Sequence, residues 1–339
     1  MPPRIVKVQD SAGKSVEIVD NYGVMHTPLA MMDADTGIFF ARQLELRLSK
    51  AYEVKYPQFQ GRSLAPVNSE GGPWTESIVA QVFNHSGSAS WATGEDETFP
   101  RADISGQEIR TVVRALKTGF GFSWLEIQKA MHANTNLEQR RANAAIFAYE
   151  KKLDEVIWGG DSQVNIGGFL SDANVPRGSA AATGTAAGTT FVSKVGNPQL
   201  IVDDIESAMS KPWLDSSMIH WPNTLLMPPA QYRLIASTRM STYSDKTILA
   251  YIMETSDWFS NGKGKIVPIN KLKNGGPTAG ADCMIAYEYN SENLELYIPY
   301  AQNFFPVQQK GFQLLIPSLG MTGGIVWRYP KSANIVEGI

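Results

Sequence analysis

The sequence predicts an α+β protein with one long helix, a long two-stranded ribbon and a strand-rich carboxyl-terminal region. In the helix, over residues 137–158, apolar residues recur at three- and four-residue steps on one face. They are Ala142, Ile146, Tyr149, Leu153 and Val156. Residues 74–122 hold two apolar runs around a polar, glycine-rich tip, and short apolar runs bounded by turn residues continue from residue 266.

The composition excludes several classes of protein. A chain of 339 residues with 43% apolar residues can bury a large core and form two or more substructures. Its net charge of −3 lacks the basic excess of a tight nucleic-acid binder, although an inner wall touching nucleic acid weakly is compatible with it. The single Cys283 excludes an internal disulfide and a multi-cysteine zinc site, and its apolar neighbours predict a buried thiol. Neither a signal core nor a run approaching about 18 apolar residues is found, so we expect a cytosolic, membrane-free product.

The amino-terminal third begins with an extended arm. Residues 1–36 mix short alternating apolar segments with turn residues, and no helical period is present. Residues 36–52 carry a broad apolar face at helical spacing and predict the first helix.

The ribbon comes next. Residues 78–83 and 109–116 predict its two strands, and the tip between them carries the acidic run Glu95, Asp96 and Glu97. A two-stranded ribbon is marginally stable alone, so we expect it to lie against another surface, such as a neighbouring subunit.

Two helices follow the ribbon. Ser123 with Glu126 forms a capping-box signature that opens the first one. The second begins at Leu137 after a break at 134–136, and Gly159 with Gly160 ends it.

The rest of the chain predicts an α/β region. Residues 171–190 are rich in Ala, Gly, Ser and Thr and predict an exposed, mobile loop. Asn197-Pro198 opens a helix to about Lys211, and Pro228-Pro229 opens another after a buried strand at 223–227. A short helix is expected at 247–254. The later strands are predicted at 266–269, 284–289, 294–298, 312–316 and 325–329, with 290–293 as a hairpin turn.

No pattern in the sequence indicates catalysis, a cofactor or a metal. His26, His85, His132 and His220 are not spaced as metal ligands, and nucleophile-elbow and phosphate-loop motifs are missing. The acidic groups Asp33/Asp35 and Asp203/Asp204/Glu206 are better explained as a helix start and the polar face of a helix. We therefore predict a protein that is not an enzyme.

The order of these parts resembles the major capsid proteins of tailed bacteriophages, which share the Hong Kong 97 fold with encapsulin shells. In that family a long spine helix carries acidic residues near its end, followed by a glycine-rich turn and a Gly-Leu-like segment. The matching residues are Glu150, Asp154, Glu155, Gly159, Gly160, Asp161, Gly168, Phe169 and Leu170. Residues 225–229 resemble the family's strand-to-helix step, and 323–330 with 338–339 resemble its closing strand.

The resemblance implies a domain plan. Residues 1–36 would form the N-terminal arm and 74–122 the extended E-loop, both reaching neighbouring subunits. The peripheral (P) domain would comprise 37–73, 123–197 and 321–339, and the axial (A) domain would comprise 198–320. The short arm implies a separate scaffolding protein, or a scaffolding segment already removed. A lysine–asparagine crosslink, known in some relatives, cannot be placed here.

The function implied is self-assembly into an icosahedral phage head that encloses double-stranded DNA. Partners would be further copies in hexamers and pentamers, scaffolding, portal and decoration proteins, and DNA held by weak non-specific contact. The protein would be made in the host cytoplasm and reside in the virion. Alternatives are an encapsulin-type compartment, a soluble hydrolase and a phage tail or adhesion protein.

Two sets of residues are candidates for roles in assembly. The acidic tip would dock on basic residues of the long helix, and the glycine pair would act as a hinge or as a simple helix end. The interface candidates are Glu95, Asp96, Glu97, Arg140, Arg141, Lys151 and Lys152, and the hinge candidates are Gly159 and Gly160.

Overall fold

A computed structural model describes residues 4–9, 15–20, 58–91, 100–133, 137–241, 243–276 and 280–339. The chain divides into a unit over residues 1–57 and a unit over residues 58–339. In the first unit, β1 (Arg4–Gln9) pairs antiparallel with β2 (Ser15–Asp20), which confirms strands in the predicted arm. The helix predicted at 36–52 lies outside the described residues.

The helices of the second unit follow the sequence patterns closely. They are α1 (Trp124–His132), α2 (Leu137–Gly159), α3 (Phe191–Lys194), α4 (Gln199–Asp215), α5 (Pro229–Ser237) and α6 (Ile248–Thr255). At the start of α1 the Ser123 N–H donates to the Glu126 carboxylate at 3.1 Å, as the capping-box signature predicts. The fourth helix continues four residues beyond the predicted Lys211.

The strands form several small sheets. The first group comprises β3 (Val67–Asn68), β4 (Ser77–Ser86), β5 (Asp103–Val112), β6 (Arg114–Ser123), β7 (Arg177–Ser179) and β8 (Thr224–Met227). The second comprises β9 (Lys265–Pro268), β10 (Cys283–Tyr287), β11 (Leu294–Tyr297), β12 (Tyr300–Phe304), β13 (Gln308–Lys310), β14 (Gln313–Thr322), β15 (Gly324–Trp327) and β16 (Ala333–Glu337).

A five-stranded sheet in the order β7-β16-β10-β8-β9 separates two hydrophobic cores. Alternate residues of β10 face opposite cores, because successive side chains of a strand point to opposite sides. Ile285 faces the core that contains Leu153 and Ile157 of α2. Met284 faces the core that contains Ile205 and Met209 of α4. The sheet joins β16, from a segment predicted to form the peripheral domain, to β8–β10, from the segment predicted to form the axial domain.

Several sequence predictions about strands are wrong. Residues 290–293 do not join a hairpin, since β10 pairs with β8 and β16 whereas β11 pairs with β3 and β15. The ribbon ends at Val112, and β6 instead pairs with β14 along its whole length. The segment 171–190 is not entirely an exposed loop, because β7 joins the central sheet there and Val175 and Ala180 are buried.

Candidate assembly surface

The ribbon of β4 and β5 exposes apolar side chains that belong to neither hydrophobic core. Its ten paired positions run from Ser77–Val112 at the base to Ser86–Asp103. Phe83 is 62% exposed and Ile104 is 60% exposed on the same face, and Trp91, beyond the last pair, is 97% exposed. The strand residues beyond Val82 on β4, and those before Ile109 on β5, are exposed on both faces.

The base of the ribbon is fixed to the rest of the unit. Val113, between β5 and β6, is buried, and its N–H donates to the Glu76 carbonyl at 2.9 Å. Above it, Ile78, Ala80 and Val82 are partly buried. The base of the ribbon is therefore anchored to the subunit. The outer half lacks the packing that an exposed two-stranded ribbon needs for stability.

Two further surfaces expose large apolar side chains. At the start of α1, Trp124 and Leu125 are exposed, and the Trp124 N–H donates to the carbonyl of the exposed Phe312 at 2.9 Å. After α4, Ser217 and Met218 adopt positive φ angles of 56° and 71°, which turn the chain sharply. The apolar side chains exposed around that turn are Leu214, Met218, Ile219 and Trp221.

The basic interface candidates on α2 divide into two groups. Arg141 contacts both Glu126 carboxylate oxygens, at 3.0 and 3.1 Å, donates to the Gly121 carbonyl and lies over the Phe122 ring. The Arg141 hydrogen bonds, followed by the bond from the Ser123 N–H, lower the pKa of Glu126. Lys152 pairs with Asp161 at 3.5 Å, so these two cations have partners within the subunit.

Arg140 and Lys151 are exposed on α2 and remain available as interface residues. They are eleven residues apart, close to three helical turns, so they lie on nearly the same face. Glu95, Asp96 and Glu97 lie outside the described residues. Docking of the acidic tip on this face therefore stays a prediction.

The two hinge candidates differ in their surroundings. Gly160 has a φ of +64°, the left-handed conformation that ends a helix, and a Cβ there would lie 2.4 Å from the Ile166 carbonyl oxygen. A Cβ on Gly159 would meet nothing within 4 Å. Asp161 and Ile166 exchange two backbone hydrogen bonds, at 2.9 and 3.0 Å, and the Phe169 N–H donates to the Ile157 carbonyl. Backbone hydrogen bonds thus hold the segment 166–170 against the end of α2. A hinge motion at Gly159 and Gly160 stays a prediction.

Acidic residues on α2 hold a second neighbouring segment. Asp154 is buried, accepts from the Gly61 N–H at 3.1 Å and lies 3.8 Å from Lys271. Glu150 pairs with Arg62 at 3.2 Å. The acidic positions that the sequence singled out near the end of the spine therefore anchor residues 61–62 within the subunit.

Comparison with known proteins identifies the family. The sequence pattern of the family described as Major capsid protein matches residues 87–339, about three quarters of the chain. The chain belongs to the major capsid protein family. No curated protein matches it.

Solved structures show the same fold. The capsid of Myoviridae phage XM1 is 21% identical, with a TM-score of 0.74 over 90% of this chain and 100% of that chain. The capsid of an empty GTA particle is 11% identical, with a TM-score of 0.60 over 88% and 96%. A virus-like particle from Pyrococcus furiosus is 13% identical, with a TM-score of 0.51 over 81% and 90%. The predicted Hong Kong 97-like α+β fold and structural capsid role are confirmed.

Several other polar groups of this capsid protein have structural partners. His220 contacts Glu288 at 3.1 Å, and buried Asp204 pairs with the fully buried Lys194, so the prediction that Asp204 lies on a polar helix face is wrong. Burial raises the pKa of Cys283 to about 12. Within the described ranges no group of three or more His, Cys, Asp or Glu side chains could hold a metal ion, and no helix is both long and apolar enough to cross a membrane.

Proposed function

We propose that this capsid protein is the shell subunit of an icosahedral bacteriophage head that encloses double-stranded DNA. The observation that supports it best is the ribbon, whose outer half exposes apolar side chains on a structure too thin to bury them itself. A neighbouring copy would supply the missing packing. The chain would act in the virion after synthesis in the host cytoplasm.

The separate exposed surfaces fit a subunit that contacts several neighbours at once. Obligate interfaces exceed about 2,000 Å² in total, which one compact face of such a chain would rarely supply. The ribbon, the start of α1 and the turn after α4 each offer apolar area at a different place in the sequence. Several weak contacts made together would hold a hexamer or pentamer firmly while each contact stayed reversible.

The domain plan and the other partners belong to the same proposal. The arm at 1–36 and the E-loop at 74–122 would reach across to neighbours. Residues 37–73, 123–197 and 321–339 would form the peripheral domain, and 198–320 would form the axial domain. Scaffolding, portal and decoration proteins would be separate chains. DNA would be held by weak non-specific contact, because a net charge of −3 supplies no strong basic surface.

The main alternative is an encapsulin-type compartment built on the same fold. The likeness to the Pyrococcus furiosus virus-like particle, with a TM-score of 0.51, is weaker than that to the phage XM1 capsid, with 0.74. This difference favours the phage head. The contents of the particle separate the two functions.

Particles purified from phage-producing cells test the proposal. Negative-stain microscopy should show closed shells that contain this chain, and nuclease treatment should leave protected double-stranded DNA inside them. Shells filled with a cargo protein and lacking DNA would support the compartment. Tubes, trimers or small globular particles would contradict both shell functions.

A further inference from the structure

The turn that follows α4 holds two residues in a conformation that suits glycine. Ser217 and Met218 have φ angles of 56° and 71°, in the left-handed region that disfavours any residue with a Cβ. Backbone hydrogen bonds fix this turn. The Met218 N–H donates to the Trp213 carbonyl at 2.8 Å, and the Ser217 N–H donates to the Leu214 carbonyl at 3.1 Å. The chain therefore keeps a methionine where glycine would fit with less strain.

The same turn projects two large apolar side chains into solvent. Met218 is 68% exposed and Ile219 is 76% exposed, and neither belongs to a hydrophobic core of the subunit. A strained residue whose side chain lies in water brings no packing to its own subunit, so a partner that covers it is the better explanation. We call Met218 and Ile219 the knob.

A cleft of about 430 Å³ lies along α4, at the edge of the central sheet. Helix α4 lines it with Leu200 and Ala208, and β7 with the segment after it lines it with Gly178, Ala180 and Ala181. A Cβ on Gly178 would meet nothing within 4 Å, so this glycine leaves the space open. The volume is in the range of pockets that enclose small molecules, and two large side chains would fit.

Each charged side chain that lines the cleft is held by a neighbour within the subunit. A charged ligand would have to compete with those contacts, whereas an apolar group would remove the apolar surface of both partners from water. The lining therefore favours an apolar occupant. The pairs are Asp204 with Lys194, Lys211 with Asp215, and Asp203 with Gln199.

We infer that the knob of one copy inserts into the α4–β7 cleft of the next copy. The knob and the cleft are different surfaces of one chain, so the contact is heterologous, and its repetition about an axis closes a ring. The inference rests on the proposed function and names the partner surface of the turn after α4.

Met218→Gly separates assembly from folding, because it removes half of the knob and relieves the left-handed strain. The urea midpoint of the unassembled full-length subunit should not fall. The subunit concentration needed for shell assembly should rise at least about tenfold, because a buried methionine side chain is lost from every contact. Sedimentation over a concentration series measures this threshold.

Ala187→Gly is the matched control. Ala187 also has a positive φ, of 58°, and is exposed, but it lies outside the cleft. The substitution relieves the same kind of strain and leaves the knob in place, so the assembly threshold should match that of the unchanged chain.

The cleft is tested by filling it. Gly178→Leu should raise the assembly threshold by a similar factor, and Gly196→Leu, at another open glycine outside the cleft, should leave it unchanged. The double variant Met218→Gly with Gly178→Leu tests whether the two surfaces meet. It should assemble no worse than the poorer single variant, because one contact can be lost only once. Met218→Gly keeps the inference testable should Gly178→Leu fail to fold.

Three results would overturn the inference while shells of the unchanged chain uphold the proposed function. They are normal assembly of Met218→Gly, additive losses in the double variant, and a map of the shell in which the cleft is empty or holds another partner. Failure of the unchanged chain to form shells would overturn both.

Discussion

At the scale of single residues, the glycine pair that ends α2 shows how local geometry separates two identical residues. Gly160 occupies the left-handed region and packs against the backbone of 166–168, whereas Gly159 is the last helical residue and has open space where a Cβ would lie. Only the second glycine is therefore required by the fold.

Alanine at each position tests this difference. Gly160→Ala should lower the free energy of unfolding by about 2 kcal/mol or more, because left-handed strain adds to a close contact with the Ile166 carbonyl. Gly159→Ala should change it by less than about 1 kcal/mol, in the stabilising direction, because alanine favours the helix. Urea unfolding of the two variants provides the measurement. Equal effects would mean that Gly160 is not held in the conformation described.

Cys283 gives a prediction about pH. Burial raises the pKa of its thiol to about 12, against about 8.5 in an unfolded chain. Above pH 8.5 the unfolded state loses this proton while the folded state keeps it. The associated stability is fully present below that pH and is lost as pH rises toward the folded pKa. Unfolding free energy should fall by about 1 kcal/mol from this group between pH 8 and 9.5.

Cys283→Ala serves as the reference because it removes the thiol. Between pH 8 and 9.5 its unfolding free energy should fall by about 1 kcal/mol less than that of the unchanged chain. Native protein should also resist a thiol reagent at pH 8 and react once it is unfolded. A fast reaction of the folded protein would show that the thiol is accessible.

At the scale of elements, the ribbon is the part whose exposed apolar surface is least accounted for by contacts within one subunit. The double substitution Phe83→Ser with Ile104→Ser removes the exposed apolar side chains of one face, and we expect it to reduce shell assembly strongly. Subunit stability should change little, because both side chains are largely exposed. Sedimentation would measure the assembled fraction, and unfolding would measure stability.

The opposite face of the same ribbon supplies the control. Asn84→Ser with Gln107→Ser changes two exposed polar side chains at neighbouring positions and should assemble normally. If the two double variants assemble equally well, the apolar face of the ribbon is not an interface.

The sequence predicted helices better than strand partners, for a physical reason. Helix α2 can be recognised from apolar residues spaced three and four positions apart, and a glycine pair marks its end. Its bounds therefore follow from the local sequence pattern. Residues 290–293 carry a good turn signal, yet the strands on either side join different sheets because their partners come from distant segments. In the same way, β6 continues the apolar run of the ribbon and only its pairing with β14 separates it.

The candidate assembly residues show the same limit. The sequence marks Arg140, Arg141, Lys151 and Lys152 equally as basic residues of one helix. The structure separates them, because Arg141 meets Glu126 across a helix junction and Lys152 meets Asp161 across a turn. The sequence analysis missed exposed Phe83 and Ile104 as candidates, because a strand pattern does not reveal which apolar face is left exposed to solvent.

At the scale of the whole molecule, the acidic tip and the exposed cations of α2 remain the proposed contact between copies. Arg140→Glu with Lys151→Glu should impair assembly. The triple substitution Glu95→Lys, Asp96→Lys and Glu97→Lys should impair it as well. Combining both sets of reversals should restore assembly partly, because opposite charges would face each other again. Sedimentation at low and moderate salt provides the measurement.

Two outcomes would contradict this docking. Normal shells from either single set would show that the charges are unnecessary, and a combined variant no better than either set would show that they do not meet. Arg141→Glu is unsuitable for this test, because it would break contacts inside the subunit.

The order of strands in the central sheet has a consequence for biosynthesis. Its members come from residues near 178, 225, 266, 285 and 335, and β16 lies between β7 and β10. The sheet therefore cannot close until residue 337 has left the ribosome, and pairing over such sequence separations is slow. We expect nascent chains to remain unable to join a growing shell until β16 has emerged and paired.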